Sequence, residues 1–438
     1  MKTVWKTDTE TPKFKTQKED FKTDVLIIGG GIAGLLCAYK LHLKGADYAL
    51  IEKDRICSGV TAGTTAKITY LHGTIYSKLI KKYGNETAKN YLNAHLAATN
   101  GFKELCSNID CDFKSEDLFI YSRNNFAKIE SEYRALKQLG VDATLTTKSE
   151  LPFKIEGEVG VSQQGQFNPL KLLYSISKEL NIYENTEAIE IGETVVLTNR
   201  GKIEAKKIIV ATHFPFIDKH GLFFLKMYQH RSYVLALTGA QNTDKMYVDE
   251  NDKGMSFRNY NGLLILGGGG HRTGKKGGGW EELRAFAKEN YKGCKEVAHF
   301  ATQDCITLDG MEYIGLYSKS TPNLYVATGF NKWGMSSAFL SAELLCDLVT
   351  GKENKYEPIF SPMRSIWHKE LALNCAESLY NILTPTVPRC SHLGCALKYN
   401  KVEHTWDCTC HGSRFSEDGE ILNNPATKKL DNLPRHNG

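Results

Sequence analysis

Cysteine and histidine residues that could bind a metal crowd into the C-terminal part of this 438-residue chain. In the run "PRCSHLGCALKYNKVEHTWDCTCHGSRF", Cys390 and His392 form a C-x-H pair, and Cys408 and His411 form a C-x-x-H pair, with fifteen residues between the two pairs. Two thiolates and two imidazoles can hold one tetrahedral zinc ion. The same groups can hold a two-iron cluster, with both cysteines on one iron and both histidines on the other. The spacing therefore predicts a metal centre and leaves both kinds open.

A glycine motif near the N-terminus predicts a nucleotide site. In "DVLIIGGGIAGLLCAYKLHLKGADYALIE", Gly29, Gly31 and Gly34 form G-x-G-x-x-G between a short apolar strand and a helical pattern. These glycines allow the tight turn, the approach of the backbone to a pyrophosphate and close helix–strand packing, and the helix N-terminus offers N–H groups to the phosphates. A second strand ends at Glu52, which can accept hydrogen bonds from ribose hydroxyls. This frame predicts a Rossmann-type unit but does not choose between NAD and FAD.

Two later segments carry a family resemblance that makes this choice. They are "KKIIVATHFPF" (206–216) and "PNLYVATGFNKWGMSSAFLSAELLCDLVTG" (322–351), the second being a strand, a glycine-rich turn and an amphipathic helix. Together with the glycine motif, they resemble the FAD-dependent oxidoreductases related to D-amino acid and sarcosine oxidases, over roughly residues 23–352. The resemblance implies FAD, with the isoalloxazine ring at this turn. A helix that starts near Gly334 would place its positive dipole end where it stabilises the anionic reduced flavin.

The same resemblance assigns roles to single residues. The segment "SGVTAGTTAKITY" (58–70) is similar to the family's loop after the acidic residue, where Thr64 and Thr65 would bind the pyrophosphate and Lys67 would replace an arginine near the flavin. Relatives that oxidise amino acids often carry a carboxylate-binding arginine where this chain has Tyr70, which argues against an amino-acid substrate. The implied FAD-binding residues are Gly29, Gly31, Gly34, Glu52, Thr64, Thr65, Lys67, Thr212, Gly329, Trp333, Gly334 and Met335.

The two metal-binding loops resemble a second family. "CSHLGC" and "CTCHGS" are similar to the cluster loops of Rieske proteins of the type found in cytochrome complexes. The resemblance implies a [2Fe-2S] cluster on the four ligands named above and a disulfide between Cys395 and Cys410. It also implies a hydrogen bond from Ser413 to a bridging sulfide, whereas Phe415 replaces a tyrosine and should lower the potential. Several strands that normally precede the first cysteine are missing, so we expect the module to lean on the flavin domain.

Catalytic residues are only weakly indicated. Arg231 is the first candidate, because a buried guanidinium needs an anionic partner and could hold a substrate acid group. The other candidates near the flavin are Tyr313, Tyr70, His271, Lys67 and Trp333. The glycine-rich run "LGGGGHRTGKKGGGW" (266–280) lacks the helix and acidic partner of a second dinucleotide site and is interpreted as a strand end and a loop.

The predicted fold class is α/β: a Rossmann-type FAD-binding domain with a β-sheet substrate domain, plus a small C-terminal all-β Rieske-like module. The predicted parts are an N-terminal arm (1–22), the oxidoreductase (23–352), a linker and helix (353–386) and the Rieske module (387–438). Within the oxidoreductase, the FAD-binding parts are 23–100, 155–215 and 305–352, and the substrate-side parts are 101–154 and 216–304.

Composition limits the partners. The net charge of +5, from 55 basic and 50 acidic residues, gives no reason to expect nucleic-acid binding. No signal peptide and no long apolar run is evident, so we expect a cytoplasmic protein without membrane insertion. The sequence does not indicate an oligomeric state.

The sequence therefore predicts an FAD-dependent oxidoreductase. It would exchange electrons between a small-molecule substrate at the flavin and an external redox partner protein or carrier, through the Rieske cluster. Two alternatives remain: a non-enzymatic electron carrier or redox sensor with the same cofactors, and a flavoprotein with a structural zinc tail.

Overall fold

Three β-sheets organise the chain in this computed structural model, which describes residues 3–6, 10–217, 220–365, 369–385, 388–431 and 433–434. The helices are α1 (Ile32–Leu43), α2 (Ile75–Ser107), α3 (Phe126–Gln138), α4 (Pro169–Ser177), α5 (Phe223–Lys226), α6 (Gly279–Asn290), α7 (Gly334–Val349), α8 (Glu357–Phe360) and α9 (Lys369–Leu383). The strands are β1 (Phe21–Ile28), β2 (Tyr48–Ile51), β3 (Lys67–Ile68), β4 (Lys114–Ser122), β5 (Thr144–Thr146), β6 (Gly157–Gln166), β7 (Ile182–Tyr183), β8 (Ala188–Ile191), β9 (Val195–Thr198), β10 (Gly201–Val210), β11 (Met227–Thr238), β12 (Lys245–Asp249), β13 (Ser256–Tyr260), β14 (Leu263–Arg272), β15 (Lys295–Thr307), β16 (Tyr313–Leu316), β17 (Leu324–Thr328), β18 (Leu397–Asn400), β19 (Thr405–Cys408), β20 (Arg414–Ser416) and β21 (Ile421–Asn423). The predicted fold class is confirmed.

The first sheet forms the Rossmann-type part, with the strand order β16-β17-β10-β1-β2-β7 and the β8–β9 hairpin on β10. Strands β17, β10, β1 and β2 run parallel. The apolar run of β1 is buried on both faces, as is usual for a central parallel strand. Ile27 packs into the core that holds α1 and α7, whereas Leu26 and Ile28 pack into a separate core on the opposite face.

The second sheet has the order β15-β11-β14-β13-β12-β4-β6-β3, with β5 on β6. Neighbouring strands in this sheet are antiparallel, except that β12 and β4 pair in parallel. Helix α6 covers one face, where Leu283 and Phe286 share a core with Leu235 and Leu266. Strands β11, β14 and β15 also border the cavity described below.

Two segments assigned by the sequence to the FAD-binding part contribute to the second sheet as well. Strand β6, from the predicted segment 155–215, pairs with β4 in a register that sets buried Leu118 beside buried Val161. Strand β3, from the predicted segment 23–100, pairs with β6. These strands bury apolar side chains, among them Ile68 and Val161, in the same core that holds α1 and α7, so this core joins the first two sheets.

The helical pattern near residues 73–105 forms α2, which is interrupted at Gly84 by a left-handed backbone with φ of 84°. The N-terminal arm reaches the core through Trp5, which is fully buried and donates a hydrogen bond from its Nε1–H to the carbonyl oxygen of Thr64 at 2.9 Å. No helix within the described ranges is long and apolar enough to cross a bilayer.

The third sheet, β18-β19-β20-β21, is antiparallel and forms the C-terminal module. Its small core is built around Leu397, Trp406 and Phe415, together with the four cysteines of the two loops. Among the described residues between α9 and Cys390 there is no strand, only a bridge of Arg389 with Ala396. This agrees with the expectation of an abbreviated module.

Candidate active site and metal centre

A cavity of about 1070 Å³ lies between the first two sheets. One wall is the turn that joins β1 to α1, and another is the turn that precedes α7. The segment Ile421 to Lys428 of the C-terminal module closes part of the cavity. The module and the Rossmann-type part therefore share one cavity.

The glycine turn fits a bound pyrophosphate because side chains are excluded from it. A Cβ atom at Gly29, where φ is +114°, would lie 2.6 Å from the carbonyl oxygen of Ala211. A Cβ atom at Gly34 would lie 1.9 Å from the carbonyl oxygen of Gly29, so α1 can pack this closely only with glycine there. The N-terminus of α1 thus faces the cavity with an unobstructed backbone, which is what an anion-binding helix N-terminus requires.

Glu52 and Lys67 bring opposite charges to this cavity. The carboxylate of Glu52 accepts hydrogen bonds from the backbone N–H groups of Gly30 at 2.7 Å and Asp54 at 2.9 Å. Burial raises the pKa of Glu52. Lys67 donates to Thr65 Oγ1 at 3.2 Å, and burial, with a smaller effect of the Arg258 guanidinium, lowers the pKa of Lys67 to about 7.

Ten of the twelve residues that the sequence assigns to FAD binding line the cavity: Gly29, Gly31, Glu52, Thr64, Thr65, Lys67, Thr212, Trp333, Gly334 and Met335. The other two, Gly34 and Gly329, lie behind the wall, where they allow close packing. The donor groups and the excluded side chains at this site fit FAD.

The four predicted metal ligands lie on two tight loops of the C-terminal module. In the first loop, the backbone N–H of Cys390 donates to the carbonyl oxygen of Cys395 at 2.9 Å. In the second, the backbone N–H of Cys408 donates to the carbonyl oxygen of Ser413 at 2.9 Å, and Gly412 has φ of +86°. The structure joins Cys395 and Cys410 by a disulfide between the loops.

The arrangement of the ligands favours a two-iron cluster over one zinc ion. The thiols of Cys390 and Cys408 form a hydrogen bond, which lowers the pKa of Cys390, and the rings of His392 and His411 lie 4.9 Å apart between centroids. Ligands of one small ion would lie close together as a set of four. Within the described residues, two groups of three possible ligand atoms lie within 4.8 Å of one another. One is Cys395, Cys408 and Cys410, and the other is His72, His95 and Glu312, so neither group includes His392 or His411. The pairing of thiol with thiol and ring with ring matches the Rieske donor set.

Two further observations concern the surroundings of the ligands. His411 is buried, and its Nδ1 atom has no hydrogen-bond partner among the described residues, as expected of a ring nitrogen reserved for a metal. Ser413 lies beside Cys390, where its hydroxyl contributes to the lowered pKa of that thiol. Phe415 is fully buried and offers no hydrogen bond. The predicted effect of these two residues on the potential stays a prediction.

One glutamine of β11 connects the cavity to the metal centre. Gln229 lines the cavity, and its Nε2 donates to the carbonyl oxygens of His411 at 2.8 Å and Asn424 at 2.7 Å. Gln303 on β15 donates to Gln229 Oε1 at 2.7 Å and to the carbonyl oxygen of Gly412 at 2.8 Å. The second cluster loop is thus fixed directly to the strands that border the cavity.

Arg231 does not face the cavity but binds the C-terminal module. Its Nε donates to Glu403 Oε1 at 2.8 Å, and its NH2 group pairs with the other carboxylate oxygen. Tyr233 and Arg414 also donate to Glu403, at 3.1 and 2.9 Å. The anion expected opposite Arg231 is therefore a carboxylate of the chain itself, and the prediction that Arg231 holds a substrate acid group loses its physical basis.

This ion pair should stabilise the docked module in a pH-dependent way. Burial alone would raise the pKa of Glu403, but the hydrogen bond and charge of Arg231, with Arg414, hold it at about 2. A depressed pKa contributes stability above the unfolded value of about 4.3, and that contribution is lost as the pH falls towards 2. Glu403→Gln should cost about 3 kcal/mol at neutral pH, because it leaves buried guanidinium groups without a carboxylate.

Urea unfolding of both proteins between pH 7 and pH 3 measures this cost, with exposed Glu420→Gln as the matched control. The stability difference between wild type and Glu403→Gln should shrink as the pH falls, while the control should match wild type throughout. A difference that is constant over this range would contradict the role of the ion pair.

Of the other catalytic candidates, Lys67 and Trp333 line the cavity, whereas Tyr313, Tyr70 and His271 lie outside its wall. Tyr313 is buried with its ring 3.9 Å from the Arg364 guanidinium carbon, and the carbonyl oxygen of Tyr70 accepts a hydrogen bond from Tyr76. His271 Nε2 lies 3.1 Å from the Tyr233 hydroxyl, so it approaches the cavity only through that tyrosine.

Among the charged residues that line the cavity and that sequence reasoning missed are Asp304 on β15 and Lys332 in the turn before α7. Burial raises the pKa of Asp304 to about 6, against the opposing effect of Lys332. Lys332 has φ of +71°, a left-handed conformation that is uncommon for a non-glycine residue and is often found at functional sites. The signal for Asp304 was a charged residue within the otherwise uncharged strand segment "FATQDCIT".

A second group of buried titratable residues lies under Trp333. The ring of His72 stacks on Trp333 with 5.1 Å between centroids and lines the cavity. Burial, and then the neighbouring His95, lowers the pKa of His72 to about 3. Glu312 lies 3.5 Å from His95 Nε2 and accepts from Ser337 Oγ at 2.6 Å. Burial would raise the pKa of Glu312, but these partners hold it at about 2.

Comparisons with known proteins agree with both halves of this site. Residues 24–348 match the family model for FAD dependent oxidoreductases, and residues 368–434 match that of the Rieske [2Fe-2S] domain. The chain is 35% identical over 492 aligned positions to YhfW, a Rieske 2Fe-2S iron–sulfur protein of Bacillus subtilis (strain 168). This alignment covers 98% of this chain and 96% of that protein. It is 22% identical to the gamma-glutamylputrescine oxidoreductase of Escherichia coli (strain K12), over 78% of this chain and 87% of that protein.

Among solved structures, a glycine oxidase from Geobacillus kaustophilus superposes with a TM-score of 0.66 at 20% identity, over 79% of this chain and 99% of that chain. At this identity the likeness shows the fold alone. The same two families are those that the glycine motif and the cysteine–histidine loops resemble.

Proposed function

We propose a function from the premise that the chain belongs to the FAD-dependent oxidoreductase family and carries a Rieske [2Fe-2S] domain at its C-terminus. When bound, FAD takes up two electrons as a hydride and the cluster carries electrons one at a time. The protein oxidises a small organic substrate in the cavity and delivers the electrons to an external redox partner through the cluster. The division into a flavoenzyme up to residue 352, a linker and helix, and a cluster module from residue 387 is part of this proposal.

The observation that carries the proposal is the wall shared by the cavity and the cluster module. The segment from Ile421 to Lys428 lines the cavity, and Gln229 contacts both the cavity and the backbone of His411. This contact supports the proposal that electrons pass between the two centres within one chain. A flavoprotein with a separate zinc tail would not need this contact.

The proposed substrate is an amine. The curated relative from Escherichia coli is named for gamma-glutamylputrescine, a small molecule that contains amino groups. Neither Tyr70 nor Arg231 offers a cationic clamp for a substrate carboxylate inside this cavity. In contrast, Asp304 offers a carboxylate whose pKa of about 6 leaves it ionised at neutral pH. When bound, FAD would supply the hydride acceptor for the substrate C–H bond, and Asp304 would accept the amine proton, so that the amine is converted to an imine.

An anaerobic screen of primary and secondary amines tests this function, with hydroxy acids and alcohols as the comparison set. We expect an amine to bleach the flavin absorption and to produce the EPR signal of a reduced Rieske cluster. The rate should rise with pH through about 6 as Asp304 loses its proton, and Asp304→Asn should lower it about a hundredfold and remove that pH dependence. The conservative variant Asp304→Glu should keep the pH dependence.

Two results would contradict the proposal. If hydroxy acids or alcohols bleach the flavin and no amine does, the substrate class is wrong. If a substrate bleaches the flavin and the cluster signal never appears, the electron route through the module is wrong.

A further inference from the structure

Helix α9 presents its apolar face to the outside and its polar face to the protein. Asn374 and Asn381 are buried, whereas Leu373, Tyr380 and Leu383 are each about two-thirds exposed. A helix that covers a core normally turns its apolar stripe inward. The spacing of the exposed apolar residues, seven and three positions apart, places them on one side of the helix.

Hydrogen bonds from the polar face fix this orientation. Asn374 accepts a hydrogen bond from Arg272 at 2.8 Å and donates one to the carbonyl oxygen of Leu225 at 3.1 Å. The side-chain oxygen of Asn381 accepts from Thr409 Oγ1 at 2.9 Å. Because buried amides are costly to leave without partners, the helix cannot rotate its apolar face inward without losing these bonds.

The apolar face of α9 continues onto the first cluster loop. A single NH1 group of Arg389 donates to the carbonyl oxygens of Ile382 at 2.6 Å and Gly394 at 2.9 Å, so the end of α9 lies beside the loop. The six exposed apolar side chains of this surface, each between 40% and 70% exposed, are here called the exit patch: Leu373, Leu379, Tyr380, Ile382, Leu383 and Leu393.

We propose that the exit patch is the docking site of the external electron acceptor, a one-electron carrier protein with an apolar contact surface and an acidic rim. This inference rests on the proposed function and names the partner of its cluster. The cluster gives one electron to the carrier, whose own centre is reduced by one electron, and no atom is transferred.

The size of the exit patch suits a transient partner. The largest apolar patch of a monomer is typically about 300–600 Å² and is often functional. Six partly exposed side chains reach this order of area but fall short of the roughly 800 Å² per partner that a stable complex buries. Electron-transfer complexes lie at the small end of interface sizes, because the partners must separate after each transfer.

The charges beside the exit patch select an acidic partner. Arg389 lies between Ile382 and Gly394, and exposed Lys428 and Lys429 lie on the next loop. The carbonyl oxygen of Lys428 accepts a hydrogen bond from Ser391 Oγ at 2.5 Å, which places these lysines at the cluster loop. A positive rim of this kind steers negatively charged carriers and raises their association rate at low salt.

The exit patch is also close to the metal ligands. Leu393 is the residue after His392, which is itself only partly buried. Behind the helix, Cys410 Sγ lies 3.8 Å from the carbonyl oxygen of Ser378. A carrier on the outer face of α9 is thus separated from the disulfide by one helix, about 10–12 Å across.

Stopped-flow oxidation of the dithionite-reduced holoprotein, freed of excess dithionite, tests the docking site without any organic substrate, so its result does not depend on which molecule the flavin oxidises. The probes are plant plastocyanin as an acidic carrier, cytochrome c as a basic carrier and ferricyanide as a small acceptor. We expect plastocyanin to oxidise the cluster faster than cytochrome c does at low salt, and added salt to remove the difference. The triple variant Leu373→Ser, Tyr380→Ser, Leu383→Ser should slow plastocyanin at least about tenfold and leave ferricyanide unchanged.

The matched control replaces three exposed apolar residues outside both the exit patch and the cavity wall, Leu43→Ser, Leu197→Ser and Val297→Ser, and should behave as wild type. An unchanged plastocyanin rate in the exit-patch variant would overturn the proposal. Sedimentation that shows a dimer for wild type and a monomer for the exit-patch variant would also overturn it. The same holds if wild type binds vesicles of anionic lipid and the variant does not. A failure of substrate to reduce the cluster would contradict the proposed function and leave this result unaffected.

Discussion

Cys408→Ser should abolish the iron–sulfur cluster while the protein keeps its flavin. Cys408 is fully buried and its thiol pairs with that of Cys390, so the two sulfurs form the half of the donor set that binds one iron. A serine hydroxyl is a poor ligand for iron in such a cluster, whose irons require thiolate or imidazole. The glycine turn and Glu52 follow strands of the first sheet, whereas Cys408 ends a strand of the third sheet. Iron analysis, EPR of the reduced protein and flavin absorption measure the outcome.

The matched control is Cys375→Ser, which changes a partly buried free cysteine on α9. It should retain iron, the EPR signal and the flavin. Substrate-driven reduction of an external carrier should be lost in Cys408→Ser alone. A Cys408→Ser protein with the iron content and EPR signal of wild type would show that the ligand assignment is wrong.

Gly34→Val should have the largest effect on the flavin side. A Cβ atom at position 34 would lie 1.9 Å from the carbonyl oxygen of Gly29, and the atom in the way is rigid backbone. The clash must push α1 away from β1 and deform the turn whose backbone faces the cavity. Overpacking of this kind costs roughly 1–3 kcal/mol. Because the deformed turn is the one that faces the cavity, we expect this cost to appear in FAD binding, where about 3 kcal/mol corresponds to a loss of affinity of about a hundredfold.

Equilibrium binding of FAD to the apoprotein measures this loss, and iron analysis shows whether the C-terminal module is still intact. The control is Gly45→Asn at the other end of the same helix, where no atom lies within 4 Å of an added Cβ and asparagine tolerates the left-handed backbone. The control should bind FAD nearly as well as wild type. If Gly34→Val binds FAD with wild-type affinity, the close packing is not needed for the site.

The parts of the site that sequence reasoning predicted are those encoded over short distances. The glycine turn and the acid that ends the next strand lie within thirty residues of one another, and each cluster loop is a continuous run of six. In such segments the residue types and the local conformation are coupled directly. This is why the FAD cofactor, the Rieske assignment and the fold class could be predicted and are confirmed, and why the zinc alternative is not supported.

The missed features depend on contacts between distant parts of the chain. Arg231 and Glu403 are 172 positions apart, and the need for an anion could be predicted from burial while its source could not. The same limit applied to β6, whose pairing with β4 moved it into the second sheet. Gln229 is an unremarkable polar residue of a strand until the fold sets it between the cavity and His411. The local sequence pattern does not show which residues of two distant elements will lie opposite each other in the folded chain.

Helix α9 shows a further limit. Its sequence "KELALNCAESLYNIL" is typical of an amphipathic helix, and the usual expectation is that the leucines face inward. In the structure the leucines face outward instead, because Asn374 and Asn381 find hydrogen-bond partners on the flavin part and on the module. Amphipathicity identified the two faces but not which of them the rest of the chain would cover.

The central claim is that electrons pass between the flavin and the cluster inside one chain. The direct measurement is to reduce the flavin of the anaerobic holoprotein by a light pulse with a sacrificial donor, and then to follow flavin absorption and the cluster signal in the dark. The account predicts that the flavin band recovers as the cluster becomes reduced, at a rate that does not change with protein concentration and with no recovery in Cys408→Ser. A rate proportional to protein concentration, or a flavin that stays reduced beside an oxidised cluster, would contradict it.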